Sequence, residues 1–104
     1  MVLLEFSIYP LGKDESVSPY VARCLKEIEA SGLDYQCHSM GTILEGEYAD
    51  VMAVVQRCFE ALLPDCDRIE CILRFDYRKG RSGRMRAKVA SVEEKLGHPV
   101  NKGP

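Results

Sequence analysis

Residues 48–77, YADVMAVVQRCFEALLPDCDRIECILRFDY, change their hydrophobic period part-way along. Up to Leu62 the side chains of Tyr48, Val51, Met52, Val55, Cys58, Phe59 and Leu62 recur at i, i+3, i+4 and i+7, the repeat of a helix with one face on a core. Pro64 ends that helix. From Arg68 to Tyr77 the period falls to two. Ile69, Cys71, Leu73, Phe75 and Tyr77 take one side, and Arg68, Glu70, Ile72, Arg74 and Asp76 the other, which predicts a strand.

Working outward from this helix and strand, the N-terminal stretch from Val2 to Tyr9 also alternates. Val2, Leu4, Phe6 and Ile8 face one way, and Leu3, Glu5, Ser7 and Tyr9 the other. A loop, PLGKDES, follows. Ser18 is a good N-cap with Pro19 at the first helical position, where a missing N–H costs nothing. Val21, Cys24, Leu25 and Ile28 then repeat at helical spacing up to a stop at Gly32. Two short strand-like runs, Tyr35 to Met40 and Thr42 to Glu45, flank Gly41. A third helix is expected from Arg84 to Leu96, with Met85, Val89, Val92 and Leu96 on one side and Gly97 as its stop. The order β-α-β-β-α-β is the α+β, ferredoxin-like pattern, here with an additional C-terminal helix. One domain over residues 1–97 and a flexible tail over 98–104 are expected.

At 104 residues there is room for one core. The net charge of −2 argues against a general polyanion binder. No apolar run approaches the roughly 20 residues that cross a bilayer, and the N-terminal stretch reaches Glu5 without a basic segment, so a cytoplasmic protein is expected. The five cysteines (Cys24, Cys37, Cys58, Cys66, Cys71) include no CxxC pair, which favours reduced structural thiols over a metal site. Neither a metal nor another cofactor is expected.

The charge is unevenly spread. RFDYRKGRSGRMRAK, residues 74–88, holds seven of the fourteen Lys and Arg residues against one acid, Asp76. A nucleic-acid platform would add stacking aromatics on a central strand, but TILEGE has none and carries two acids. Acyl-phosphate hydrolysis would need an arginine in the first strand–helix loop, where only Lys13 is basic. His38 and His98 have no nucleophile and acid set around them in the sequence, so a non-enzymatic protein is expected. Two readings of the basic run stay open. GRSG, residues 80–83, followed by a helix N-terminus offers an anion site flanked by Arg78, Arg81 and Arg84. Alternatively, those arginines meet acids of a neighbouring subunit, such as Asp65, Asp67, Glu93 or Glu94. MGTILEGE, residues 40–47, sets Thr42 three residues before Glu45, a hydroxyl and a carboxylate suited to a ligand with amidine-like donors.

Taken together, LLEFSIYPLG, MGTILEGE and RMRAKVASVEEKL resemble, in order and spacing, the small thiamine-binding protein family. The resemblance runs from Val2 to about Leu96. It implies a protein that binds thiamine or its hydroxymethylpyrimidine moiety and assembles its sheets into dimers and tetramers, with Ser7, Tyr9, Thr42 and Glu45 at ligand-facing positions. Strand parity sends Thr42 and Glu45 to opposite faces, so a bulge near Gly46 or a subunit boundary would be needed to bring both to one ligand. A structural or regulatory oligomer without ligand, and an anion or phosphate module, are the alternatives.

Overall fold

The computed structural model describes residues 1–13 and 17–102. Part of the expected PLGKDES loop and the last two residues of the tail lie outside the described residues. The elements are β1 (Val2–Pro10), α1 (Ser18–Ser31), β2 (Asp34–His38), β3 (Gly41–Gly46), α2 (Tyr48–Leu62), β4 (Ile69–Tyr77) and α3 (Arg84–Leu96). They form one four-stranded sheet of order β2-β3-β1-β4 in which every neighbouring pair is antiparallel. This is the ferredoxin-like arrangement with an added C-terminal helix, as expected.

Periodicity places the helix boundaries closely, with one shift: Ser18 is the first residue of α1 and Val17 takes the cap position, without a side-chain cap bond. Pro falls in the first turn of α1, and Gly32 and Gly97 close α1 and α3 in the left-handed conformation that glycine adopts without strain. The strands start and stop within two residues of expectation, which is the fraying expected of element ends.

Burial follows the alternation read from β1. Val2, Leu4, Phe6 and Ile8 face α1 and α2, and the fully buried set is Leu4, Ile28, Leu44, Leu62, Val51, Val54 and Cys58. Tyr48 departs from the expected helix face. It is 58% exposed, and its ring sits 5.4 Å from that of Phe75. β4 is an edge strand, and the two helices do not reach across it. Its core-side residues Leu73, Phe75 and Tyr77 therefore remain exposed although their parity was read correctly.

The opposite sheet face is divided by α3. The strand register sets Asp34, Glu45, Leu3 and Asp76 in one row across all four strands, so three carboxylates and a leucine lie side by side. Strands are about 4.8 Å apart, and like charges on neighbouring strands repel. The first turns of α3 lie across this row. The main-chain N–H groups of Arg84 and Met85 donate to the two Glu45 carboxylate oxygens, at 2.8 and 3.4 Å. The Arg84 guanidinium and the Lys88 ammonium both reach Asp76, at 2.6 and 2.8 Å, and Arg86 reaches Asp34 at 2.9 Å. Leu3 and Met85 are buried at the same level.

Gly83, left-handed at φ 65°, precedes the helix and has no side chain to cap it. A helix N-terminus has unpaired amides and about half a positive charge, so the buried Glu45 carboxylate serves as its cap from another strand. Beyond its second turn α3 leaves the sheet, and Val92 and Leu96 are exposed. Val100 and Lys102 of the tail return to Glu93, at 2.9 and 2.7 Å.

Two consequences can be measured. Replacing Glu45 by Ala leaves two helix amides unpaired beside a buried face, and should lower unfolding free energy in urea by about 1–3 kcal/mol. Limited proteolysis should then begin in α3. Asp76 has a carboxyl held at about 2 against the usual 3.8, first by the Lys88 and then by the Arg84 hydrogen bond. A depressed carboxyl stabilises the fold above its unfolded value and stops doing so as pH falls through the folded value. Urea midpoints of Asp76→Asn should therefore fall less steeply than those of the parent chain between about pH 4 and about pH 2.

Candidate functional site

β1 is nine residues long and pairs with β4 along its whole length, from Val2↔Tyr77 to Pro10↔Ile69. On its other side the partner runs out. β3 has six residues, and its pairing with β1 ends at Phe6↔Thr42. The chain turns there through Ser39 and Met40 into β2, so among the described residues Ser7 to Pro10 have a strand on one side only. Main-chain N–H and C=O groups on that side are left for something other than the sheet.

A cleft of about 610 Å³ occupies this gap. Its floor is β1 from Glu5 to Tyr9, and one wall is α1, through Val21, Cys24, Leu25 and Ile28. The other wall is the β2–β3 turn from Cys37 to Thr42, with Ile72 at the rim. The amphipathic α1 stripe shows why the sequence makes a wall here. Cys24 and Ile28 turn into the core, while Val21 and Leu25 stay half-exposed along the cleft.

The polar groups converge on Glu5. Its carboxylate has the Arg74 Nε at 3.6 Å and the His38 Nε2 at 4.0 Å. His38 spans from β2 to β1 across Gly41, whose register partner it is. Gly41 has no side chain to obstruct that reach, and a Cβ there would come within 3.0 Å of the Phe6 carbonyl oxygen. The His38 ring is oriented by the Met40 N–H, which donates to Nδ1 at 3.3 Å, leaving the Nε2 side toward Glu5. Tyr9 donates its phenol proton to Glu70 at 2.8 Å, and that bond together with the Glu70 charge raises the phenol pKa, keeping it a neutral donor.

Of the residues marked in the sequence, Ser7, Tyr9 and Thr42 all line this cleft. Thr42 is buried and lies on the helix side opposite Phe6, while Ser7 and Tyr9 come from the other face. A gap between strands, reached from both faces, brings the three together. Glu45 is not among the lining residues. The β1–β3 pairs run without a break from Gly46 to Thr42, and Glu45 stays on the far row, bound to the α3 amides. The arginines separate too. Arg84 is drawn into its own chain by Asp76, its side chain only 12% exposed, whereas Arg78 and Arg81 sit exposed in the turn before α3. The α3 N-terminal amides, read in the sequence as a site for an outside anion, are taken by the Glu45 carboxylate of the same chain.

Sequence reasoning placed Glu5 on the open face without marking it as a ligand residue. The missing information was the length of β3, which decides where β1 loses its partner. His38 shows no partner in the sequence, because its reach across Gly41 depends on the same register.

These features define an α+β domain of ferredoxin-like topology with a ligand-sized cleft where its first strand outruns the neighbouring hairpin. The chain belongs to the thiamine-binding protein family, whose sequence profile matches residues 4–93. The UPF0045 protein Mb1933 of Mycobacterium bovis is 40% identical over 99 residues, 94% of this chain and 97% of its own. The UPF0045 protein MJ1052 of Methanocaldococcus jannaschii is 32% identical, and its crystal structure matches with a TM-score of 0.82 over 89% of this chain and 96% of that one. A Thermotoga maritima structure, described as that of a candidate thiamine biosynthesis or salvage protein, shares the fold at a TM-score of 0.77 and 23% identity, over 88% of this chain and 97% of that one.

Among the described residues, no helix is long and apolar enough to cross a membrane.

Proposed function

We propose that this chain is a cytoplasmic, non-enzymatic binding protein for thiamine or its hydroxymethylpyrimidine moiety, and that the ligand sits in the cleft beside β1. The observation that carries the reading is the unpaired side of Ser7 to Pro10, flanked by one carboxylate and three hydroxyls. An aminopyrimidine is flat and presents an amino donor beside ring-nitrogen acceptors. A strand edge can match such an alternation, as it matches another strand. Glu5 supplies an acceptor for the amino group, and Ser7, Thr42 and Tyr9 supply hydroxyls. The apolar α1 wall and Ile72 take the ring faces. A volume of about 610 Å³ is within the ordinary range for small-molecule sites. Membership of a thiamine-binding family supports the same ligand class.

Isothermal titration with thiamine and with hydroxymethylpyrimidine should give saturable binding to both if the pyrimidine is the recognised part. Glu5→Gln should weaken both by about 1–3 kcal/mol, the effect of removing a charged acceptor from a hydrogen bond. No heat at millimolar ligand would sink the reading.

A second feature supports self-association as part of that function. β4 is an edge strand of nine residues without proline, and Leu73, Phe75, Tyr77 and Tyr48 form an exposed apolar strip beside it. Such an edge invites pairing with another strand, and a second copy of this chain offers the same edge in antiparallel sense. Val92 and Leu96 on the projecting half of α3 extend the apolar surface available to a dimer of dimers. Light scattering after size exclusion should show an oligomer. Leu73→Lys combined with Phe75→Lys should reduce it to a monomer while leaving ligand titration at Glu5 unchanged, and a clean monomer from the parent chain would remove this part of the reading.

A further inference from the structure

Cys24 on α1 and Cys58 on α2 face each other where the two helices touch. The Cys24 sulfur lies 3.9 Å from the main-chain oxygen of Cys58, and the Cys58 sulfur lies 3.7 Å from the main-chain oxygen of Cys24. Each thiol is thus laid over the other residue's backbone, and the two side chains interleave across the contact. Their surroundings differ. Cys58 is fully buried, whereas Cys24 is also part of the cleft wall, with a small fraction of its surface open to it. One member of the pair can therefore meet a small solute while the other waits behind it.

We propose that Cys24 and Cys58 are a dithiol oxidised by small hydroperoxides that enter through the cleft, giving a disulfide that ties α1 to α2. In the first step the Cys24 sulfur attacks a peroxide oxygen. The O–O bond breaks, Cys24 becomes a sulfenic acid, and the departing hydroxide leaves as water with the thiol proton. In the second step Cys58 attacks the Cys24 sulfur. The S–O bond breaks, and the hydroxide leaves as water with the Cys58 proton. Two thiols lose two electrons and hydrogen peroxide becomes two waters.

The polarity of the pair fits this order. Hydrogen bonding with Cys58 lowers the Cys24 pKa, with the nearby Arg23 acting in the same direction against burial. Cys58 is pushed up by that same bond and by burial, so it is the poorer first nucleophile. Cys71 is a third thiol near the pair, half-buried and raised mainly by burial. Cys37 is exposed and serves as the internal standard for a thiol that oxidises without a partner.

The test is peptide mapping of the full chain by mass spectrometry after hydrogen peroxide treatment without denaturant. The expected result is a Cys24–Cys58-linked peptide as the main oxidised product, formed before Cys37 is extensively modified. With Cys58→Ser, dimedone should label Cys24 as a trapped sulfenic acid. With Cys24→Ser, Cys58 should stay reduced. The proposal is overturned if Cys37 oxidises while Cys24 and Cys58 stay reduced, if Cys24 links to Cys71 instead, or if the linked peptide forms only in urea. The mapping on the unsubstituted chain decides the matter even if either variant fails to fold. It is independent of which ligand the cleft takes.

Discussion

The attachment of α3 to the sheet rests on the buried carboxylate of Glu45. Its two oxygens accept from the first free amides of a helix that has only glycine ahead of it, so the charge meets both hydrogen-bond donors and a helix dipole. A carboxylate buried without such partners would cost several kcal/mol. The flanking acids Asp34 and Asp76, one on each outer strand, bind Arg86, Arg84 and Lys88 from the same helix. Half a row of mutual repulsion becomes a set of alternating charges once α3 is in place. The strength of each exposed pair is small, but together they hold one helix in one orientation.

This accounts for the basic stretch from Arg74 to Lys88. Four of its seven cations are engaged by acids of this same chain, since Arg74 also approaches Glu5. This pairing lowers the net positive field that the stretch presents to a polyanion. It also removes the reason to place a free anion at the α3 N-terminus, because those amides already hold one.

Element order and strand faces were legible because they depend on local chemistry. Alternation over Val2 to Tyr9 and 69–77, glycine stops at Gly32 and Gly97, and Pro64 after α2 each act within a few residues. The parity conflict between Thr42 and Glu45 was legible too, and the uninterrupted register confirms that they point apart. What the sequence could not show is which rows meet. Asp34, Glu45, Leu3 and Asp76 are scattered along the chain and become neighbours only through strand register. Glu5 is similarly hidden. Its place at the mouth of the cleft follows from a difference in length between β1 and β3, and not from any motif around it. Exposure along β4 was illegible for a related reason, since it depends on how far two helices reach across a sheet.

The open face of the sheet therefore has two ends with different occupations. At the Leu3 end, a helix supplies cations and amides to carboxylates, and the space is filled. At the Tyr9 end the chemistry is similar in kind, with Glu5 and Glu70 near Arg74, His38 and a phenol, but no element of the described chain covers it. The strand that would continue β3 alongside Ser7 to Pro10 turns back at Gly41 instead. A longer β3 would complete the main-chain pairing and close the gap to a ring-sized solute. Glycine at 41 brings the turn against Phe6 and leaves the room open above it. In the proposed reading, room for a ligand thus arises from a strand that stops early, at the end of the sheet face away from α3.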